Sequence, residues 1–314
     1  WVGLQPDAFR LDAARTGGLK AEPQRRATTG PNPTAVVRCG FHGARTTADL
    51  PGPMSAAPPE SRLPTLRELY ASHEGKVSDK WSLYLDVYDR VFGRHRSGPI
   101  SFVEVGVQNG GSLELWARYL PEATVLVGCD IDPKCSALAF DDARVKVVVG
   151  DVNSEPTYRA IRAHAPTFDV FIDDGSHTSR DIVLTFCNYF RHLNAGGIYV
   201  VEDLHCSYLS PWGGGIDRGD TSMEFLKLLA DFVNKPYWQR ERAPLALLAP
   251  FFPSGARPDM TSFRDIVSVT FYDSMCVIEK RAHGAVAGLG ERVVVGTEAS
   301  VSTDPLAHRS TRQS

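Results

Sequence analysis

Residues 100–130 read ISFVEVGVQNGGSLELWARYLPEATVLVGCD, and this stretch decides the fold. Ile100–Val105 is a short apolar run that breaks at Gly106, as a buried strand does when a turn residue ends it. Helical sequence follows over Ser112–Leu120. Thr124–Cys129 is a second apolar strand and ends in Asp130. The alternation continues downstream. A helix over Pro133–Phe140 has Pro133 in its first turn, where a missing N–H costs nothing. Val145–Val149 is a third strand, before Gly150 and Asp151. A helix covers Ser154–His164. Phe168–Ile172 is a fourth strand, leading into Asp173 and Asp174. A helix over Ser179–Leu193 is stopped by Asn194–Gly197. Ile198–Val201 is a fifth strand, leading into Glu202 and Asp203. Five apolar strands alternating with helices predict an α/β fold with a parallel sheet covered on both faces.

Outward from this core the pattern changes. Upstream, Leu63–Phe92 is mostly helical, with Leu83, Val87 and Val91 at i, i+4 and i+8, and it breaks at Gly93 and at Ser97–Pro99. Downstream, Ser222–Asn234 is an amphipathic helix, and Ala243–Phe252 is apolar without a decisive period. Ile266–Phe271 and Ser274–Ile278 form a strand pair turning at Tyr272 and Asp273, so the parallel sheet closes with antiparallel pairing. The expected division is an extension at 1–53, an N-terminal helical segment at 54–98, a catalytic domain at 99–281 and a disordered tail at 282–314.

Of the 314 residues, 43% are hydrophobic and 23% charged, which excludes a wholly disordered chain, a collagen and a coiled coil. The longest apolar runs are too short for a membrane span. The net charge of −3 argues against a nucleic-acid partner, whose phosphates call for a basic face. Six scattered cysteines with no CxxC argue against a disulfide framework or zinc site and fit a cytoplasmic setting. The first 53 residues hold 7 basic and 4 acidic side chains, so the remainder carries −6. They begin at Trp1, show little periodicity and precede Met54, so they read either as a mis-annotated or non-native stretch, with the translated domain starting at Met54, or as a genuine disordered extension or part of a longer chain. They contain no apolar core of a secretory signal.

Ligands of a parallel α/β sheet bind outside the carboxyl ends of its strands. Each of the five ends carries an acid: Glu104, Asp130, Asp151, Asp173 with Asp174, and Glu202 with Asp203. Between the first strand and its helix lie Glu104, Gly106, Gly110 and Ser112. Glycine allows close approach of the backbone to a ligand. The spacing departs from the dinucleotide GxGxxG, and an acid in this loop suits a cation better than a pyrophosphate. S-adenosylmethionine has a sulfonium, an ammonium and no phosphate. Asp130 is expected on its ribose hydroxyls, Asp151 on the adenine amine, and Asp173 among its contacts. With the fourth and fifth strands adjacent, Asp174, Glu202 and Asp203 converge as hard oxygen ligands for Mg²⁺. His177, three residues beyond Asp174, is the candidate general base, since an unperturbed imidazole titrates near pH 6.5. His205 is its rival. His73, His95, His164 and His192 read as solvated. The loop holding Tyr208, Trp212 and Gly213–Gly215 is a candidate cover for substrate and equally a packing element.

These motifs resemble a known family. EVGVQNGGS at 104–112, DDGSH at 173–177, EDLH at 202–205 and FYDSMCVIEK at 271–280 look like the macrocin and mycinamicin type of sugar O-methyltransferase. Asp79, Lys80 and Trp81, with Tyr84 and Tyr88, resemble that group's N-terminal helical signature. The resemblance spans about residues 66–281. It implies a Rossmann-like class I methyltransferase fold with a mostly parallel seven-stranded sheet and an antiparallel terminal strand. It also implies dependence on S-adenosylmethionine and Mg²⁺, and a sugar or glycosylated polyketide as the small-molecule acceptor. Position by position, Asp174, Glu202 and Asp203 match the metal carboxylates and His177 the base. Enzymes of this type can carry a longer N-terminal portion that helps assemble a homo-oligomer; residues 54–98 are short for that. Cephalosporin hydroxylase-like proteins share much of the pattern, so an oxidoreductase is one alternative and a non-catalytic adenosylmethionine-binding protein another.

Overall fold

The computed structural model describes residues 62–238, 243–252, 258–286, 288–298 and 300–301. The expectations for residues 1–53, and for Cys39 within them, lie outside the described residues.

Seven strands form one sheet. β1 (Ser101–Val105), β2 (Val125–Asp130), β3 (Val145–Val149), β4 (Phe168–Asp173) and β5 (Leu193–Val201) are joined by β6 (Ile266–Tyr272) and β7 (Met275–Lys280) in the order β3-β2-β1-β4-β5-β7-β6. The first five pair in parallel, and β7 runs antiparallel to both β5 and β6. The strand order reverses between β1 and β4, which opens a crevice at their carboxyl ends.

Side-chain alternation along the strands makes two cores, one on each face. Val103, Phe171, Tyr199, Val201 and Ile278 face α4 (Glu155–His164), α5 (Ser179–Tyr189) and α6 (Ser222–Val233), where Ile161, Phe186 and Phe225 meet them. Phe102, Val170, Ile172, Val200 and Val277 face the opposite way. There they meet α1 (Leu66–Ala71), α2 (Ser82–Phe92) and α3 (Gly111–Tyr119) through Leu69, Tyr88 and Trp116. The described part of the N-terminal helical segment therefore shares a hydrophobic core with the sheet. Its two helices are separated by residues 72–81, which hold no helix, although the apolar period suggested a mostly continuous one.

Three local readings change. Asn194–Gly197, expected to stop a helix, belong to β5: α5 ends at Tyr189, a short 3-10 turn follows, and the strand starts at Leu193. The pairing of β4 with β5 jumps from Phe168↔Leu193 to Val170↔Ile198, so a bulge with Gly196 at φ 81° absorbs the extra residues. The helix expected over Pro133–Phe140 is a 3-10 turn at Pro133–Ala137. The apolar stretch at 243–252 contains a short helix, α7 (Pro244–Leu248). Described residues beyond Lys280 hold no helix or strand, and Val293, Val294 and Val295 are exposed. The five described cysteines are buried free thiols. Among the described residues no helix is long and apolar enough to cross a membrane.

Candidate active site

Adjacency of β4 and β5 sets the site. The backbone N–H of Asp174 donates to the Val105 carbonyl and that of Glu202 to the Asp173 carbonyl, both at 3.0 Å, so the strand ends are stitched together just where their acids leave the sheet. Asp174, His177 and Asp203 gather there, with one ligand atom from each lying within 4.8 Å of the others. His177 Nε2 is 3.7 Å from Asp203 Oδ2 and 4.0 Å from Asp174 Oδ1. His177 and Asp203 both have φ 55°, a left-handed conformation uncommon outside glycine. Two such residues at one rim are local strain of the kind that persists where it aims functional side chains.

The helical face below α2 completes the rim from afar. Lys80 Nζ, with its side chain only 2% exposed, lies 2.5 Å from Asp174 Oδ2, 2.7 Å from Glu202 Oε1 and 3.5 Å from Glu104 Oε1. The Tyr88 hydroxyl donates to the same Glu202 oxygen. Trp81 Nε1 donates to Asp203 Oδ1 at 3.1 Å. The Tyr84 hydroxyl lies 2.8 Å from that oxygen and accepts from the Asp203 N–H at 3.1 Å. Glu202 thus stands beside the Asp174–His177–Asp203 group but spends one oxygen on Lys80 and Tyr88. Lys80 and Trp81 were foreshadowed only by the resemblance; the available signal was a lysine two residues before a helix whose tyrosines recur at i and i+4.

Electrostatics follow from burial. Desolvation, then repulsion from Glu202, pushes the Asp174 carboxyl well above the usual carboxylate range, against the pull of Lys80. Burial would lower the Lys80 ammonium, but Asp174, Glu202 and Glu104 outweigh it and hold its pKa above the ordinary lysine value. His177 does not keep its unperturbed pKa: burial, opposed by Asp203 and reinforced by Lys80 and His205, takes it down to about 4. Burial thus disfavours its charged form. His205 is more exposed, and its Nδ1 pairs with Ser274 Oγ at 2.6 Å. Of the histidines read as solvated, His164 is exposed. His73 Nε2 is 2.7 Å from the Lys76 carbonyl, and His192 Nε2 meets the Tyr158 hydroxyl. Burial also lowers His95.

The other strand ends are built differently. Asp130 Oδ2 accepts from the N–H groups of Val107 and Gln108, each at 2.8 Å, and Oδ1 accepts from Asp132 at 2.9 Å, so it shapes the loop after β1. Three of roughly four acceptor positions of a carboxylate are then in use. Asp151 is exposed and accepts from the Asn153 N–H at 2.8 Å. Asp173 is buried, and desolvation raises it to about 7. Glu104 and Ser112 meet each other: Ser112 Oγ donates to Glu104 Oε2 at 2.6 Å and Trp116 Nε1 to Oε1 at 3.0 Å. Glu104 is wholly buried, and Lys80 Nζ lies 3.5 Å from its Oε1. Gly106, at φ 93°, allows a close approach, to protein backbone: a Cβ there would sit 2.0 Å from the Asp174 carbonyl oxygen. Gly110, at φ 87°, caps α3. Of the loop near the rim, Tyr208 is exposed and Gly214 presses on the Ser207 backbone within a pair of 3-10 turns.

A sheet of this order with its acid rim defines a methyltransferase of class I fold, and the profile described as a methyltransferase domain matches residues 103–204. The chain is 32% identical over 300 residues to the 8-demethyl-8-alpha-L-rhamnosyl tetracenomycin-C 2'-O-methyltransferase of Streptomyces olivaceus, covering 91% of this chain and 70% of that one. It is 29% identical to the demethylmacrocin O-methyltransferase of Streptomyces fradiae, over 73% and 56% of the two chains. A crystal structure of MycE, the methyltransferase of a mycinamycin pathway, in complex with Mg and SAH, superimposes with a TM-score of 0.60 at 27% identity, covering 81% of this chain and 61% of that one. The chain belongs to the sugar O-methyltransferases of the macrocin and mycinamicin type. It spans 45–70% of the length of these and other curated sugar methyltransferases that it matches.

Proposed function

We propose that the chain transfers a methyl group from S-adenosylmethionine to a hydroxyl on the sugar of a glycosylated natural product, with Mg²⁺ bound at the rim. The observation that carries this reading is the buried His177 set beside Asp174 and Asp203 at the ends of β4 and β5. The donor set fits a divalent cation: Asp174, Glu202 and Asp203 bring three carboxyl groups to one rim, against one ammonium from Lys80. Such a cluster is costly to bury without more positive charge.

Asp174, Glu202 and Asp203 are the residues that would hold the metal, which supplies Lewis acidity that lowers the pKa of a hydroxyl, while the cofactor supplies an electrophilic methyl group. The β1–α3 loop with Gly106 and Gly110, Ser112 and Glu104 beneath it, and Asp130, Asp151 and Asp173 along the same edge, form the cofactor side. His177 would take the hydroxyl proton at Nε2 as the acceptor oxygen bonds the methyl carbon and the carbon–sulfur bond breaks, releasing S-adenosylhomocysteine. Asp203, 3.7 Å away, stabilises the imidazolium that results. Fixed alignment of the two reactants supplies the rest of the acceleration.

The test is a screen of glycosylated polyketides and free deoxysugars with radiolabelled S-adenosylmethionine, with Mg²⁺ or with EDTA. Methyl incorporation that depends on Mg²⁺ is expected. Binding of NADPH in calorimetry, with no binding of S-adenosylmethionine, would favour an oxidoreductase instead.

A further inference from the structure

Lys80 has no part in the proton transfer, yet it is the most heavily engaged charge in the site. Its ammonium bridges a carboxylate from the end of β4 and one from the end of β5, and it also lies against Glu104 at the end of β1. It reaches there from an extended segment two residues before α2, which is tied down on either side of the rim by Trp81 and Tyr84 on Asp203. The consequence shows in the ligand geometry: Asp174, His177 and Asp203 converge, while Glu202 is drawn to Lys80 and Tyr88.

We infer that Lys80 is a resident counter-cation that competes with the divalent metal for Asp174 and Glu202. This rests on the metal-dependent reading of the same rim. A lysine suits the task because its charge is compact and sits on a flexible stem, so it can hold two carboxylates and then withdraw. Before metal binds, it keeps like charges from repelling one another across the strand ends. When metal binds, it must yield Glu202. Lys80 is on this account a positioning residue that sets both the metal-free stability of the rim and its metal affinity.

The experiment compares the full-length wild-type chain with Lys80→Met after stripping with EDTA, using Mg²⁺ alone as the probe in titration calorimetry and thermal melting. The stripped variant is expected to melt below the wild type, to bind Mg²⁺ at least about tenfold more tightly, and to gain more melting temperature from it. Lys80→Arg, which keeps the charge, should stay near wild-type affinity. Equal or weaker Mg²⁺ binding by Lys80→Met would overturn the role of Lys80 and leave the metal site standing, whereas no binding by any of the proteins would overturn the metal reading and this inference together. Should Lys80→Met fail to fold even with Mg²⁺, Lys80→Gln, which keeps a hydrogen-bond donor but no charge, gives the answer: Mg²⁺ binding should again tighten, and equal or weaker binding would overturn the inference.

Discussion

The two ends of the strand edge solve the same problem in opposite ways. At the ends of β2 and β3, Asp130 and Asp151 are partly or fully exposed, and they bond backbone N–H groups within their own loops or the neighbouring one. At the ends of β4 and β5, the acids are mostly buried and are held by side chains 94 to 122 residues away in sequence. The first end is assembled by local backbone geometry, which leaves room for a ligand to compete with water. The second is braced by long-range polar contacts that exclude water, which strengthens every charge interaction inside. Under the proposed function the first arrangement serves the cofactor and the second holds several carboxylates in register.

Substitutions can break or sharpen this contrast. Gly106 is where the two ends touch, because its backbone lies against the Asp174 carbonyl. Gly106→Ala forces both a left-handed alanine and a backbone shift, and it should cost about 2–4 kcal/mol in denaturant titration. Binding of S-adenosylhomocysteine should weaken with it. Tyr84→Phe removes a buried hydroxyl that both meets the Asp203 carboxylate and accepts its N–H, so about 1–2 kcal/mol should be lost, measurable in the same titration. Asp151→Asn keeps its turn bond and is exposed, so stability should stay within about 0.5 kcal/mol, and any effect should appear in cofactor affinity alone. Equal losses for Tyr84→Phe and Asp151→Asn would erase the distinction between the two ends.

A reference outside both ends is His192, held down to about 4 by burial and by Arg162, Arg191 and Lys280. Its folded pKa lies below the unfolded value of about 6.5, so the unfolded chain binds the extra proton in that interval. The stability it contributes is complete above pH 6.5 and is lost as pH falls toward 4. Relative to the wild type, His192→Gln should therefore gain melting temperature between pH 7 and pH 4.5. A pH-independent difference between the two proteins would contradict this.

The sheet was legible because its first five strands are local apolar runs with an acid at each carboxyl end, while adjacency of the fourth and fifth strands was a condition that the pairing of β4 with β5 meets. That adjacency also places Asp174, His177 and Asp203 together. What was hidden depends on tertiary contact. The loop of Glu104 invites a cation, but that Lys80 from the N-terminal segment would lie 3.5 Å from it was not legible. The lowered pKa of His177 comes from burial, which cannot be read from the five-residue motif DDGSH. Asn194–Gly197 looked like a helix stop, since Asn and Gly end helices; pairing with β4 and β7 draws them into a bulged strand instead.

The most direct test of the account is single-turnover methyl transfer by His177→Ala on the best acceptor from the screen, with S-adenosylhomocysteine affinity measured in parallel. Removing a general base should slow transfer by about 10²–10⁴-fold. The His177 account predicts that loss with cofactor affinity unchanged within about twofold, since the imidazole lies on the rim and not on the cofactor side. Transfer at the wild-type rate with normal cofactor binding would contradict it.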